Sequence, residues 1–146
     1  MRGTWLRLRS ALAIAATAAI AVARGSPAQD YMLYCQGCHG DQAQGVPGKV
    51  PPLAGSLNRF MRTADGRDYL LRVPGAANSA LSDEQLTAVL NWLAERYALA
   101  GEASVPSFTV TEVARLRHTP LADVAARRAE VVRALAASGP SPPAGY

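Results

Sequence analysis

Only two cysteines and two histidines occur in this 146-residue chain, and that scarcity removes several function classes. A tetrahedral zinc site usually needs four protein ligands, and since His39 and His118 are the only histidines and no third cysteine exists, every cysteine and histidine of the chain would have to converge on one ion. Strand signals are nearly missing, because no alternating run of β-branched residues exceeds a few positions. A thioredoxin-type redox pair, which needs a βαβ setting, therefore has no support. No acid–base pair, activated nucleophile or phosphate-cradling loop stands out, so an organic substrate site has none either, and the chain is expected not to be an enzyme. The apolar stretch from Ala11 to Ala23 is thirteen residues long. Spanning a bilayer takes roughly twenty, so no stable membrane insertion is expected.

The formal net charge of +4 is also less informative than it looks. Arg2, Arg7, Arg9 and Arg24 lie in the first 28 residues, where no acidic residue occurs, and the remainder balances eleven basic against eleven acidic residues. No basic stripe for nucleic acid is left. The N-terminal arginines, the apolar stretch and the small residues after it read instead as a secretory signal over residues 1–28, implying a periplasmic protein. Ala21-Val22-Ala23 and Ser26-Pro27-Ala28 both fit a small-x-small cleavage pattern, and the second is preferred because it starts the mature chain at Gln29, just before the first helix. Outside the cytosol a free thiol pair oxidises, so both cysteines must be consumed by something.

What the chain does contain answers that requirement: Cys35-Gln36-Gly37-Cys38-His39. Two thiols and an adjoining imidazole at this spacing are what covalent attachment of a c-type haem requires. Each sulfur adds to one vinyl group of the porphyrin edge, while the imidazole reaches the iron from one face. Gly37 adds no side chain to obstruct the ring. A plain disulfide between Cys35 and Cys38 would close a very short loop and ignore the histidine beside it. The expected cofactor is one covalently attached haem c, with Cys35, Cys38 and His39 binding it and His39 ligating the metal.

About 118 residues remain after cleavage, enough for one small domain in which a covalently held apolar ring would supply part of the core. Helical periodicity dominates, so the expected fold class is all-α, with a haem domain over 29–100 and a C-terminal helical extension over 101–146 that ends disordered. Asp30 is expected to cap a first helix through about Gln36. Residues 40–55, rich in glycine and proline, read as a loop. Short helices are expected over 56–60 and 66–73, the latter ended by Pro74-Gly75. The best-marked element runs from Leu81 to Tyr97, where Ser82 and Gln85 form a capping box and Leu86, Val89, Leu90, Leu93 and Tyr97 make one apolar face. In the tail, Thr111-Glu112 caps a brief helix, and Thr119-Pro120 begins a longer one to about Ala137 with Leu121, Val124, Arg128, Val132 and Leu135 inward. Arg128 interrupts that stripe. The extension either packs on the haem domain or docks a partner, and the first is preferred.

From Asp30 to Tyr97 the chain resembles the mono-haem class I c-type cytochromes of bacteria. The resemblance is carried by Cys35-Gln36-Gly37-Cys38-His39-Gly40, the loop Val50-Pro51-Pro52-Leu53-Ala54-Gly55 and the segment Leu81 to Leu93. It implies that Cys35 and Cys38 bind the haem, that His39 is the proximal ligand and that the Pro51 carbonyl accepts a hydrogen bond from its ring. It implies as well that the first and last helices of the haem domain cross, with Tyr31 or Tyr34 near Trp92. Most relatives supply a distal methionine from the loop before the last helix, yet Val73 to Leu81 contains none. Met61, His118, Asn78, water or an open position remain as alternatives. The implied function is a periplasmic carrier of single electrons between a dehydrogenase or quinol-oxidising complex and a downstream redox protein. The alternatives are a small-molecule sensor or peroxidase-like protein with an open distal site, and a haem subunit docked permanently on a dehydrogenase.

Overall fold

The computed structural model describes residues 25–101 and 103–138. Most of the expected secretory signal and the expected disordered end after residue 138 lie outside the described residues. Among those described there is no strand, and an isolated antiparallel bridge pairs Val46 with Val50. The all-α expectation holds.

Eight helical segments follow one another among the described residues: α1 (Pro27–Tyr34), α2 (Gln36–His39), α3 (Leu57–Met61), α4 (Ala64–Arg72), α5 (Pro74–Ala77), α6 (Asp83–Arg96), α7 (Val110–Leu116) and α8 (Val124–Ser138). The cap of α1 differs from expectation. Ser26, not Asp30, sits at the N-cap, and its side chain and that of Gln29 satisfy each other's backbone N–H groups in a capping box. Asp30 instead lies buried in the first turn, where Gln85 Nε2 on α6 donates to both its carboxylate oxygens at 3.3 and 3.4 Å. That contact helps fix the crossing of α1 over α6. The same crossing brings the Tyr31 and Trp92 rings to 5.8 Å between centroids, so Tyr31 rather than Tyr34 is Trp92's partner.

The expected box at α6 is present: Ser82 accepts from the Gln85 N–H and Gln85 Oε1 from the Ser82 N–H. Its apolar face, Leu86, Val89, Leu90 and Leu93, is buried in a core shared with Leu57, Phe60 and Met61 of α3 and Tyr69, Leu70 and Leu71 of α4. Pro74-Gly75 does not simply end α4. Val73 caps it in an extended conformation, and Pro74 then opens the single turn of α5.

The tail folds back onto this core. Asn91 and Phe108 share two hydrogen bonds, Arg67 grips Glu112, and Arg117 reaches the carbonyls of Ser79 and Leu81 at 2.6 and 2.8 Å. Thr109 rather than Thr111 caps α7, its side chain accepting from the Glu112 N–H. The last helix starts later than Pro120. The Leu121 N–H donates to the Arg72 carbonyl at 3.0 Å and Arg72 Nε donates to the Thr119 carbonyl at 2.7 Å, which holds this stretch along α4. Asp123 then accepts from the Ala126 N–H, and α8 begins at Val124. Its inward stripe is Val124, Arg128, Val131 and Leu135, with Leu121 packing from the segment before it and Val132 only half-buried.

Candidate haem site

The core is not closed. Between α2, the loop 49–53, α3, α4, α5, α6 and the start of α8 lies a cavity of about 460 Å³. That is within the range of about 300–1,000 Å³ usual for cofactor and ligand sites. Cys35, Cys38 and His39 sit on its wall, and most of the rest is aliphatic or aromatic, including Leu57, Phe60, Leu70 and Leu90.

Local sequence explains how the three motif residues come to face the same space. The backbone departs from regular helix at Cys35, which ends α1 by bonding back to the Tyr31 carbonyl, and α2 then carries Cys38 and His39 one turn further. Both thiols are free, Cys35 half-buried and Cys38 exposed. Burial, with the Asp30 and Cys38 charges behind it, pushes the Cys35 thiol up to about 11. Tyr31 braces the turn from behind by donating its hydroxyl to the Gly40 carbonyl at 2.5 Å.

His39 is oriented by the loop. Its Nδ1 lies 3.2 Å from the Pro51 carbonyl oxygen, the partner the resemblance implied. An N–H at Nδ1 donating there leaves the Nε2 lone pair for the cavity. Burial holds the imidazole below its ordinary pKa while the Pro51 carbonyl opposes the shift, and the neutral ring that burial favours is the form that binds a metal. Gly45 makes this loop possible. Its N–H donates to the His39 carbonyl at 2.8 Å, its φ is +69°, and a Cβ there would lie 2.3 Å from the Val50 carbonyl oxygen. Ser56 finishes the loop by donating its hydroxyl to the Pro52 carbonyl.

The geometry therefore fits a haem on grounds internal to the protein: two unpaired thiols and an oriented neutral imidazole on one wall, and an apolar space before them. The sulfur and imidazole alternatives for the other axial position fare differently. None of Met61, His118 and Asn78 lines the cavity. Met61 is 1% exposed, packed in the core at the end of α3. The His118 side chain is 68% exposed, with its Nε2 3.9 Å from Asp83. Met32 is on the exposed side of α1.

No family model matches the chain. A cytochrome c-552 of Thermus thermophilus is 32% identical over 128 residues, covering 75% of this chain and 86% of the relative. A second cytochrome c-552 from the same species is 34% identical over 102 residues, covering 57% of this chain and 78% of the relative.

The chain belongs to the bacterial class I c-type cytochromes. It carries one covalently bound haem c and is an electron carrier. Sequence reasoning found the attachment motif of this cytochrome but not the whole of its cavity. Arg128 reads in the sequence only as a break in an apolar stripe, yet the structure buries it to 6% exposure and places it on the cavity wall with Val124. Its charged carbon lies 5.7 Å from the centre of the Phe60 ring. The single signal was the charge itself at an inward position. Tyr69 also lines the cavity, stacked on Phe60 at 5.4 Å, and gave no sequence signal beyond helical periodicity.

Proposed function

We propose that this cytochrome is exported and works in the periplasm, taking single electrons from a dehydrogenase or quinol-oxidising complex and delivering them to a second haem or copper protein. Cys35 and Cys38 hold the haem through thioether bonds, and His39 is the proximal ligand through Nε2. When bound, the haem supplies one-electron exchange at the iron. The chain's own part is to orient and shield. The Pro51 carbonyl fixes the His39 ring and raises its basicity, and the aliphatic wall from α3, α4 and α6 keeps water from most of the ring.

The observation that carries the reading is the character of the surface around the attachment edge. Cys38 is exposed at the cavity, and large apolar side chains stand in solvent on the segments either side of it in the chain: Met32, Leu33 (73% exposed) and Tyr34 on α1, and Val46 on the loop that leads to Lys49 and Val50. A small apolar rim at a redox-active edge suits a short-lived encounter with a partner. The C-terminal helices support a diffusing carrier over a permanently docked subunit, because α7 and α8 are already spent on α3, α4 and α6. Among the described residues no helix is long and apolar enough to cross a membrane.

Export rests on the composition of the first residues, and the structure of α1 bears on where processing occurs. Cleavage after Ala28 would remove Ser26 and Pro27, the cap and first residue of α1. Cleavage after Ala23 preserves the capping box and is the site proposed. The test is expression beside a cytochrome c maturation system. The protein should collect in the periplasmic fraction, begin at Arg24, retain one haem after denaturation and give a reversible one-electron wave. A Cys35→Ala, Cys38→Ala double variant that still keeps its haem through denaturation would overturn the attachment, and a cytoplasmic product would overturn the localisation.

A further inference from the structure

The haem cavity carries fixed charge of one sign. No described aspartate or glutamate lines it, and its two cationic side chains are Lys49, on the loop that holds His39, and Arg128 of α8. Lys49 is exposed, whereas Arg128 is buried. Phe60 marks where the guanidinium lies, because its ring centre is 5.7 Å from the charged carbon of Arg128 and 5.4 Å from the centre of the Tyr69 ring, which lines the cavity too. Arg128 and Tyr69 thus flank one ring and make a polar corner in the wall. That corner belongs to other elements than the thiols do: α8 packs on α3 and α4, whereas α1, which leads to Cys35, packs on α6. The charges that push the Cys35 thiol up are those of Asp30 and Cys38, on α1 and α2.

We propose that Arg128 binds one haem propionate through its guanidinium N–H groups, so that the C-terminal extension holds the edge of the cofactor away from the thioether bonds. The inference rests on the reading of Cys35, Cys38 and His39 as the haem's attachments. A haem brings two carboxylates into this cavity, on the half of the porphyrin opposite the vinyl groups that the thiols take up. The planar N–H fork of arginine matches a carboxylate, and the bond is charge-assisted. Burying a guanidinium costs free energy that an anion in the same space offsets, so docking of α8 and occupation of the cavity support each other. The other charged groups nearby do not take this role. Arg59, Arg62, Asp65, Arg67, Asp68 and Arg72, on or at the ends of the helices α8 packs against, lie off the cavity, and Arg127 and Glu130 of α8 pair with each other outside it.

The experiment is a carboxyl titration of the matured ferrous holoprotein, its haem isotope-labelled at both propionates and read by nuclear magnetic resonance. In the native protein one carboxyl should titrate below the ordinary carboxylate range, because a guanidinium beside it favours the charged form, and an Arg128 side-chain N–H should show a through-space contact to that propionate. Arg128→Gln should raise the pKa of that carboxyl by about one unit or more and leave the other in place. Arg128→Lys should restore most of the difference, and Lys49→Gln should move neither. Two propionates that titrate in the ordinary range in the native protein, or a lowered one that responds to Lys49→Gln and not to Arg128→Gln, would overturn the proposal. The native titration needs no variant, so misfolding of Arg128→Gln leaves the test intact. Haem that stays attached through acid extraction while both carboxyls titrate normally refutes this inference and leaves the attachment standing, and a colourless product refutes both.

Discussion

The side-chain amide of Asn91 closes a two-way clasp on the backbone of Phe108: Nδ2 donates to the Phe108 carbonyl at 3.0 Å and Oδ1 accepts from the Phe108 N–H at 2.8 Å. One residue of α6 thereby reproduces a β-bridge for a segment with no strand to pair with. Phe108 is buried beneath the Arg67 guanidinium, which lies 4.1 Å from its ring centre. The clasp is the anchor by which the tail is folded back.

Replacing Asn91 by Ala removes both bonds and leaves the Phe108 backbone groups partly buried without partners. The expected cost is about 2 kcal/mol. Chemical denaturation should register it as a lower midpoint, and limited proteolysis should open between residues 98 and 108 before α1 to α6 are cut.

Glu112 gives the same junction a pH dependence. Arg67 donates to it from Nε at 2.7 Å and from Nη2 at 2.5 Å, and the same guanidinium donates to the Pro106 and Ser107 carbonyls at 2.7 and 3.2 Å. The Arg67 hydrogen bonds hold the Glu112 carboxyl below the ordinary glutamate range. A carboxyl whose pKa is lower folded than unfolded stabilises the fold above its unfolded pKa, and that contribution disappears as pH falls through the folded value. Glu112→Gln should therefore flatten the acid limb of the stability curve below the normal glutamate pKa. A double-mutant cycle with Arg67→Ala at neutral pH should give a coupling of about 1 kcal/mol.

The parts of this cytochrome legible in its sequence are those decided by residues a few positions apart. Cys35, Cys38 and His39 announce their chemistry within five residues, and Ser82 with Gln85 marks the start of α6 within four. Where two local signals competed, the sequence was ambiguous. Asp30 is as good a cap as Ser26, and only its distant bond from Gln85 shows why it went into the interior instead. Thr119-Pro120 is a sound helix start on local grounds, but the Arg72 carbonyl, 49 residues before Leu121, takes the Leu121 N–H and delays α8. The cavity wall was the least legible part, because Tyr69, Val124 and Arg128 meet there only through tertiary packing.

Gly45 tests how tightly the loop controls His39. An alanine there needs φ near +69° and puts its Cβ 2.3 Å from the Val50 carbonyl oxygen and 2.8 Å from that of Pro51. Backbone strain and the forced shift should cost about 2–3 kcal/mol. Because the Pro51 carbonyl is crowded along with that of Val50, the bond to His39 Nδ1 should weaken, and a perturbed resonance for that ring proton in the holoprotein would check it. A loss of stability with an unaltered His39 proton would mean that the loop yields elsewhere.

Met61 is wholly in the core and off the cavity. Met61→Leu, close to volume-conserving, should cost less than about 1.5 kcal/mol. Met61→Ala should cost about 2–4 kcal/mol by leaving a void among packed side chains. Neither should move the visible spectrum of the haem, and thermal melts recorded alongside spectra separate the two readouts.

Arg128 brings a buried charge of α8 to the haem cavity. It is held there by position rather than by chance exposure, since Val124 one turn earlier lines the same wall, Val131 and Leu135 follow inward, and its guanidinium carbon is 5.7 Å from the Phe60 ring centre. A fixed positive charge beside the haem opposes the ferric state, which carries one more positive charge than the ferrous. Arg128→Gln should therefore lower the reduction potential, by on the order of 1 kcal/mol of electrostatic free energy at the effective dielectric of a protein interior. Arg128→Lys, which keeps the charge and loses the planar fork, should leave the potential near its native value even if stability falls. Voltammetry of both variants beside their denaturation curves distinguishes the two roles. A merely structural arginine would lower stability in each variant and leave the potential of each unchanged.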